Sequence, residues 1–266
     1  MRMSWKIGRI AGIDLYLHPT FLLVLLFPGA LAPGVPMLVV LALFGCVLLH
    51  ELGHALMARH YGISTLDITL YPIGGVARLE RMPRSPGAEL LIALAGPAVN
   101  FAIVAALLGV LVLGWPVLDS VPELESFLHS MTILNLGLGL FNLIPAFPMD
   151  GGRVLRALLS GWVGRIRATA VAASVGRFLA LCFGIFSLLS GSLVHVALAA
   201  FIYLAAGAEL AWVQLDERRR AAALLSSPAA EAPPGYQWVY RGQGVWQLAP
   251  VVVTTDPYAW GRSPWK

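Results

Sequence analysis

The chain has 266 residues, 58% of them hydrophobic and only 12% charged, with a net charge of +4. A soluble domain carries about 25% charged residues, and a soluble chain this apolar would expose large adhesive patches. Composition therefore excludes an ordinary soluble enzyme and makes lipid the solvent for much of the chain. The small positive balance does not indicate nucleic acid. The two cysteines, Cys46 and Cys182, lie inside apolar stretches and exclude a disulfide framework.

In chain order, residues 5–16 contain two glycines and alternate loosely, which predicts a short strand. The first apolar run, 15–32, is interrupted by Pro19 and Pro28 and lacks a small-residue cleavage site after it, so it is expected to remain in the mature protein. A membrane helix needs about 20 apolar residues, and five further runs qualify: 36–58, 88–114, 126–147, 170–190 and 193–213, with Arg177 near the start of the fifth span. Between the second and third spans, Leu66, Ile68 and Leu70 alternate with Asp67 and Thr69. Pro72-Ile73-Gly74-Gly75 then makes a turn and Val76–Arg81 alternates again, the pattern of a hairpin beside the membrane. After the last span the chain takes on linker composition, and Tyr236–Val253 alternates around Arg241-Gly242-Gln243-Gly244, a second hairpin pattern. The expected fold is an all-α polytopic membrane protein of about six transmembrane helices with a small membrane-associated β-sheet near the active site. Residues 1–213 form the membrane domain and 214–266 a cytoplasmic tail.

Orientation follows the basic residues. With both termini cytoplasmic, segments 1–14, 59–87, 148–177 and 214–266 hold 3, 4, 5 and 6 Lys and Arg, which is all 18 in the chain. The outer loop 115–125 carries only Asp119, Glu123 and Glu125.

The chemistry concentrates in His50-Glu51-Leu52-Gly53-His54, which follows fourteen uncharged residues, Pro36–Leu49. On a helix His50 and His54 lie one turn apart on one face, so both imidazoles can reach one metal, and Glu51 beside them is suited to act as general base on a metal-bound water. Ionisable groups inside a membrane are functional candidates by default. A histidine pair there needs partners against desolvation, and a metal is one. Catalytic zinc takes three protein ligands and keeps one open position. The strongest third candidate is Asp150, in Asn142-Leu143-Ile144-Pro145-Ala146-Phe147-Pro148-Met149-Asp150-Gly151-Gly152, because the charge map puts it at the same depth as His54. Its prolines and glycines break the helix, which is tolerated where backbone lines a cavity. His18, His60, His129 and His195 carry local or interfacial readings, and Glu209, the only later acid within a span, lacks motif context. Trp115, Trp162 and Trp212 fit interfacial anchoring.

These motifs, with Gly96-Pro97-Ala98-Val99-Asn100 between them, resemble the site-2 protease family of intramembrane zinc metalloproteases. Tyr71–Val76 is similar to that family's hairpin beside the active site, and Gly8-Arg9-Ile10 through His18-Pro19-Thr20 resembles the start of its six-helix, sporulation-protease-like branch. The resemblance covers about residues 5–213. It implies one zinc per chain held by His50, His54 and Asp150, with Glu51 as base, and Asn142 and Asn100 helping to position substrate or oxyanion. The chain departs from relatives with a nucleotide-sensing pair of domains after the last helix or a ligand-binding insert between catalytic helices: its tail and its 115–125 loop are too short for either. The expected substrate is a membrane-spanning or membrane-tethered protein. Its unwound backbone would be held by strand addition on the hairpin at Gly74 and Gly75. The expected setting is a bacterial or archaeal cell membrane, with the lipid bilayer, no nucleic acid, and a regulatory membrane partner or homo-oligomer left open. The competing reading, a non-catalytic membrane scaffold or metal carrier, has no need of Glu51.

Overall fold

The computed structural model describes residues 4–26, 35–72, 74–81, 83, 85–225, 232–242 and 245–251. The chain falls into two units, Met1–Leu210 and Ala211–Lys266. The first opens with β1 (Trp5–Ile10) and β2 (Ile13–Leu17), a 3-10 turn at Pro19–Phe21 and α1 (Leu22–Leu26). Then come α2 (Met37–His60), β3 (Thr65–Tyr71), β4 (Gly74–Leu79), α3 (Pro86–Leu113), α4 (Trp115–Leu118), α5 (Pro122–Asn142), α6 (Asp150–Val163) and α7 (Arg165–Leu189), followed by α8 (Leu193–Leu225), whose residues from Ala211 onward belong to the second unit. The second unit contains a two-stranded hairpin, β5 (Tyr236–Gly242) and β6 (Val245–Pro250).

The four-stranded sheet runs β1-β2-β3-β4, with β2 and β3 parallel and the outer pairs antiparallel, so β4 is an edge. Alternation puts Ile13, Leu15 and Ile68 on one face, where they pack with Ala55, Leu48 and Leu52 of α2. The opposite face carries charge: Lys6 pairs with Asp14, and Arg78 with Asp67. The sheet is thereby fixed along the helix that carries both histidines.

Four described helices are long and apolar enough to cross a membrane: Met37–His60, Pro86–Leu113, Arg165–Leu189 and Leu193–Arg219. The expected first span is corrected in part. Residues 13–17 form β2 because their alternation buries Ile13 and Leu15 against α2, and helix begins only at Leu22. Its continuation through Pro28 lies outside the described residues, as does the Gln243-Gly244 turn. The expected fourth span, 126–147, is instead α5, which starts at Pro122, admits Glu123 and Glu125 in its first turn and stops at Asn142. Helix α7 begins at Arg165, which places Arg177 well inside it rather than near its start; its guanidinium lies 5.4 Å over the Tyr203 ring. Helix α6 was not foreseen. Its Gly151-Gly152 sequence reads as a breaker, yet both glycines are helical, and a Cβ on either would strike the backbone of the preceding turn, Leu143–Phe147.

Candidate metal centre

Helix α2 brings His50 and His54 to one face, 4% and 5% exposed, and α6 begins at Asp150. The His50 and His54 Nε2 atoms lie 3.1 Å apart, and each lies 3.1 Å from Asp150 Oδ2. Among the described residues this is the cluster of three His, Cys, Asp or Glu side chains whose ligand atoms lie close enough to share a metal ion.

The remaining ring nitrogens are already committed. His50 Nδ1 lies 2.5 Å from Asn100 Oδ1, and His54 Nδ1 lies 2.7 Å from the Ile92 carbonyl. Both partners are acceptors, so each Nδ1 carries the proton and each Nε2 presents a lone pair. Three lone-pair atoms therefore converge at 3.1 Å, an arrangement that repels itself unless a cation lies among them. Tetrahedral zinc with bonds of about 2.0–2.1 Å holds its ligand atoms roughly 3.3 Å apart. The donor set and its spacing fit zinc.

Helix α3 supports this cluster along a single stripe: Ile92, Gly96 and Asn100 recur at helical spacing. Gly96 faces the imidazoles so closely that a Cβ there would lie 2.7 Å from His50 Nε2 and nearer still to His54. Asn100 is fully buried, and its Nδ2 donates to Asn135 Oδ1 at 3.0 Å. Asn135, also fully buried, donates to the Met131 carbonyl at 2.8 Å and approaches Cys46 Sγ at 3.4 Å. The chain His50–Asn100–Asn135 fixes the amide orientations in turn.

Glu51 sits against the sheet edge. The Ala77 backbone N–H donates to Glu51 Oε2 at 3.1 Å, and a Cβ on Gly75 would lie 2.7 Å from Glu51 Cγ. The hairpin expected at Gly74 and Gly75 is thus in contact with the expected base. Asn142, the last residue of α5, is half-buried and begins the turn that leads to Asp150. Asn100, expected near substrate, is instead enclosed behind His50 with both ends of its amide hydrogen-bonded. The other histidines stay away from the cluster: His18 accepts from Thr20 N and stacks on Tyr71, His129 faces Glu125 and His195 faces Ser192.

Sequence reasoning missed two sets of residues. One is Asn135, a polar residue in an apolar helix, which the cost of intramembrane polar groups could have flagged. The other is the buried group Glu89, Arg156 and Glu209, in which Arg156 bonds Glu89 at 2.5 Å and Glu209 at 2.8 Å.

The chain is similar to known zinc metalloproteases. The model of peptidase family M50 matches residues 38–122 and 119–183. The chain is 38% identical over 226 residues to a zinc metalloprotease of Methanocaldococcus jannaschii, covering 81% of this chain and 63% of that one. It is 30% identical over 290 residues to a candidate zinc metalloprotease of Synechocystis, covering 100% of this chain and 73% of that one. The site-2 protease structure from Methanocaldococcus jannaschii superposes with a TM-score of 0.58 at 37% identity, covering 78% of this chain and 95% of that chain. The chain thus spans less than two thirds of the length of the first of these relatives.

Proposed function

The chain belongs to peptidase family M50, the site-2 proteases, and is an integral membrane protein; from that premise we propose that it is a zinc metalloendopeptidase cutting membrane-spanning or membrane-tethered proteins. The observation that carries this reading is the convergence of His50, His54 and Asp150 with Glu51 beside them, one hydrogen bond from a strand edge.

In this reading His50, His54 and Asp150 hold the metal. Zinc held there would supply Lewis-acid polarisation of a peptide carbonyl and activation of a water. Glu51 is the group that would accept a proton from the attacking water and return it to the leaving amine. The Ala77 N–H on Oε2 restrains the Glu51 carboxylate. A helical substrate hides its carbonyls in its own hydrogen bonds, so it must unwind before attack. Edge strand β4 offers backbone groups, apart from the Ala77 N–H that Glu51 already holds, to take up the unwound stretch as an added strand beside Glu51. In this reading Asn142, the last residue of α5, helps to position substrate or oxyanion, whereas Asn100 acts on His50. The tail from about 214, with its hairpin, and both termini belong on the cytoplasmic side in this reading, which follows the distribution of basic residues.

The test is substrate trapping. Glu51→Gln, expressed in a bacterial membrane, should retain zinc and co-purify with membrane proteins that the wild type cleaves and the variant does not. Captured proteins that remain uncut by wild type would contradict the reading.

A further inference from the structure

We propose that Arg156 is a positioning residue for the metal centre: through Glu89 it sets the register between the helix that orients both histidines and the helix that supplies Asp150. This rests on the zinc reading above. The Arg156 side chain is 1% exposed, with Glu89 at 6% and Glu209 at 22%. Its Nε and Nη2 both lie 2.5 Å from Glu89 Oε1, and its Nη1 lies 2.8 Å from Glu209 Oε1. The guanidinium carbon lies 5.0 Å above the ring of Phe147, itself 1% exposed in the turn three residues before Asp150. One side chain therefore joins α3, α6, α8 and the turn that leads to the third ligand.

The consequence lies along α3. Glu89, Ile92, Gly96 and Asn100 fall at i, i+3, i+7 and i+11, one stripe of that helix. Ile92 holds His54, Asn100 holds His50, and Gly96 gives the imidazoles room. Glu89 adds the tie to α6, whose first residue is Asp150. A slip of α6 along α3 would carry Asp150 away from the two imidazoles without touching either. Burying a charged triad is costly, and replacing one with apolar residues of similar volume is often neutral or stabilising. Stability alone thus gives little reason for this group, whereas a fixed register between two ligand-bearing helices does.

The test uses the purified full chain in detergent. The triple variant Arg156→Met, Glu89→Met, Glu209→Met removes the charges and keeps the volume. Zinc affinity is read by chelator competition, the site's geometry by the visible bands of bound cobalt(II), and folding by thermal unfolding. The inference predicts a folded variant whose zinc affinity falls about 10- to 100-fold and whose cobalt bands shift. A folded variant with wild-type affinity and wild-type bands overturns it. If the triple variant does not fold, Glu89→Gln keeps the size and is judged by the same two readouts. His50→Ala runs alongside. If it loses zinc while the triad variants keep theirs, the positioning role alone falls. If His50→Ala binds zinc as wild type does, the ligand reading falls, and the positioning role with it.

Discussion

Glu51 Oε2 accepts the backbone N–H of Ala77 at 3.1 Å, so the proposed base and the edge strand proposed to hold substrate are one hydrogen bond apart. Any displacement of β4 then displaces Glu51. Gly75 tests this coupling, because a Cβ there would lie 2.7 Å from Glu51 Cγ and 3.3 Å from Val47 Cγ1. Gly75→Ala should lower turnover on the order of 10- to 100-fold and leave zinc content unchanged. Metal analysis beside single-turnover cleavage checks it, and unchanged turnover would separate strand from base.

The asparagine pair gives a second prediction. Asn100→Ala removes the acceptor of His50 Nδ1 and should weaken zinc about 10- to 100-fold. Asn135→Ala acts one step further out. It leaves Asn100 Nδ2 buried without its partner, at about 1–3 kcal/mol, and should lower stability more than it lowers zinc affinity. Chelator competition and thermal unfolding separate the two; equal zinc loss in both variants would contradict the order of the relay.

What could be read from sequence was what has a short period. His50 and His54 share a face because they are four apart, and the β3–β4 hairpin shows in the alternation of Leu66–Leu70 with its Gly-Gly turn. Asp150 was reachable because a break of prolines and glycines at membrane depth requires a reason. Arg156 was not: its partners stand 67 and 53 residues away, and nothing local marks a cation whose carboxylates come from other helices. Sequence gives no direction to an amide, so it leaves Asn100 to position substrate or oxyanion; in the structure its Oδ1 lies against His50 Nδ1. Helix α6 was hidden by Gly151-Gly152, whose role is to let a helix start against its own preceding turn.

The charge distribution predicts sidedness. Reporters fused at residue 85, at 160 and after 220 should read cytoplasm, and one at 120 the opposite side, since the Lys and Arg other than Arg177, which lies well inside α7, fall in the segments assigned to one side. A cytoplasmic signal at 120 would overturn this arrangement.

The tail gives a further expectation. A lone two-stranded hairpin is marginally stable in water, yet β5 and β6 pair over most of their length and bring the Tyr240 and Trp246 rings within 5.1 Å. If the tail is a lid or substrate-docking element rather than a floppy tail with interfacial aromatics, truncation after residue 221 should change cleavage rate or substrate range while zinc content and folding stay as in wild type. Wild-type cleavage of every tested substrate would reduce the tail to an anchor.

The most direct measurement concerns Asp150, the one proposed ligand contributed from outside the His50–His54 helix. Purified wild type should hold about one zinc per chain. Asp150→Ala, measured for metal by elemental analysis and for cleavage of a trapped substrate, should lose zinc and activity together. An Asp150→Ala protein that keeps one zinc per chain and full cleavage would contradict the account.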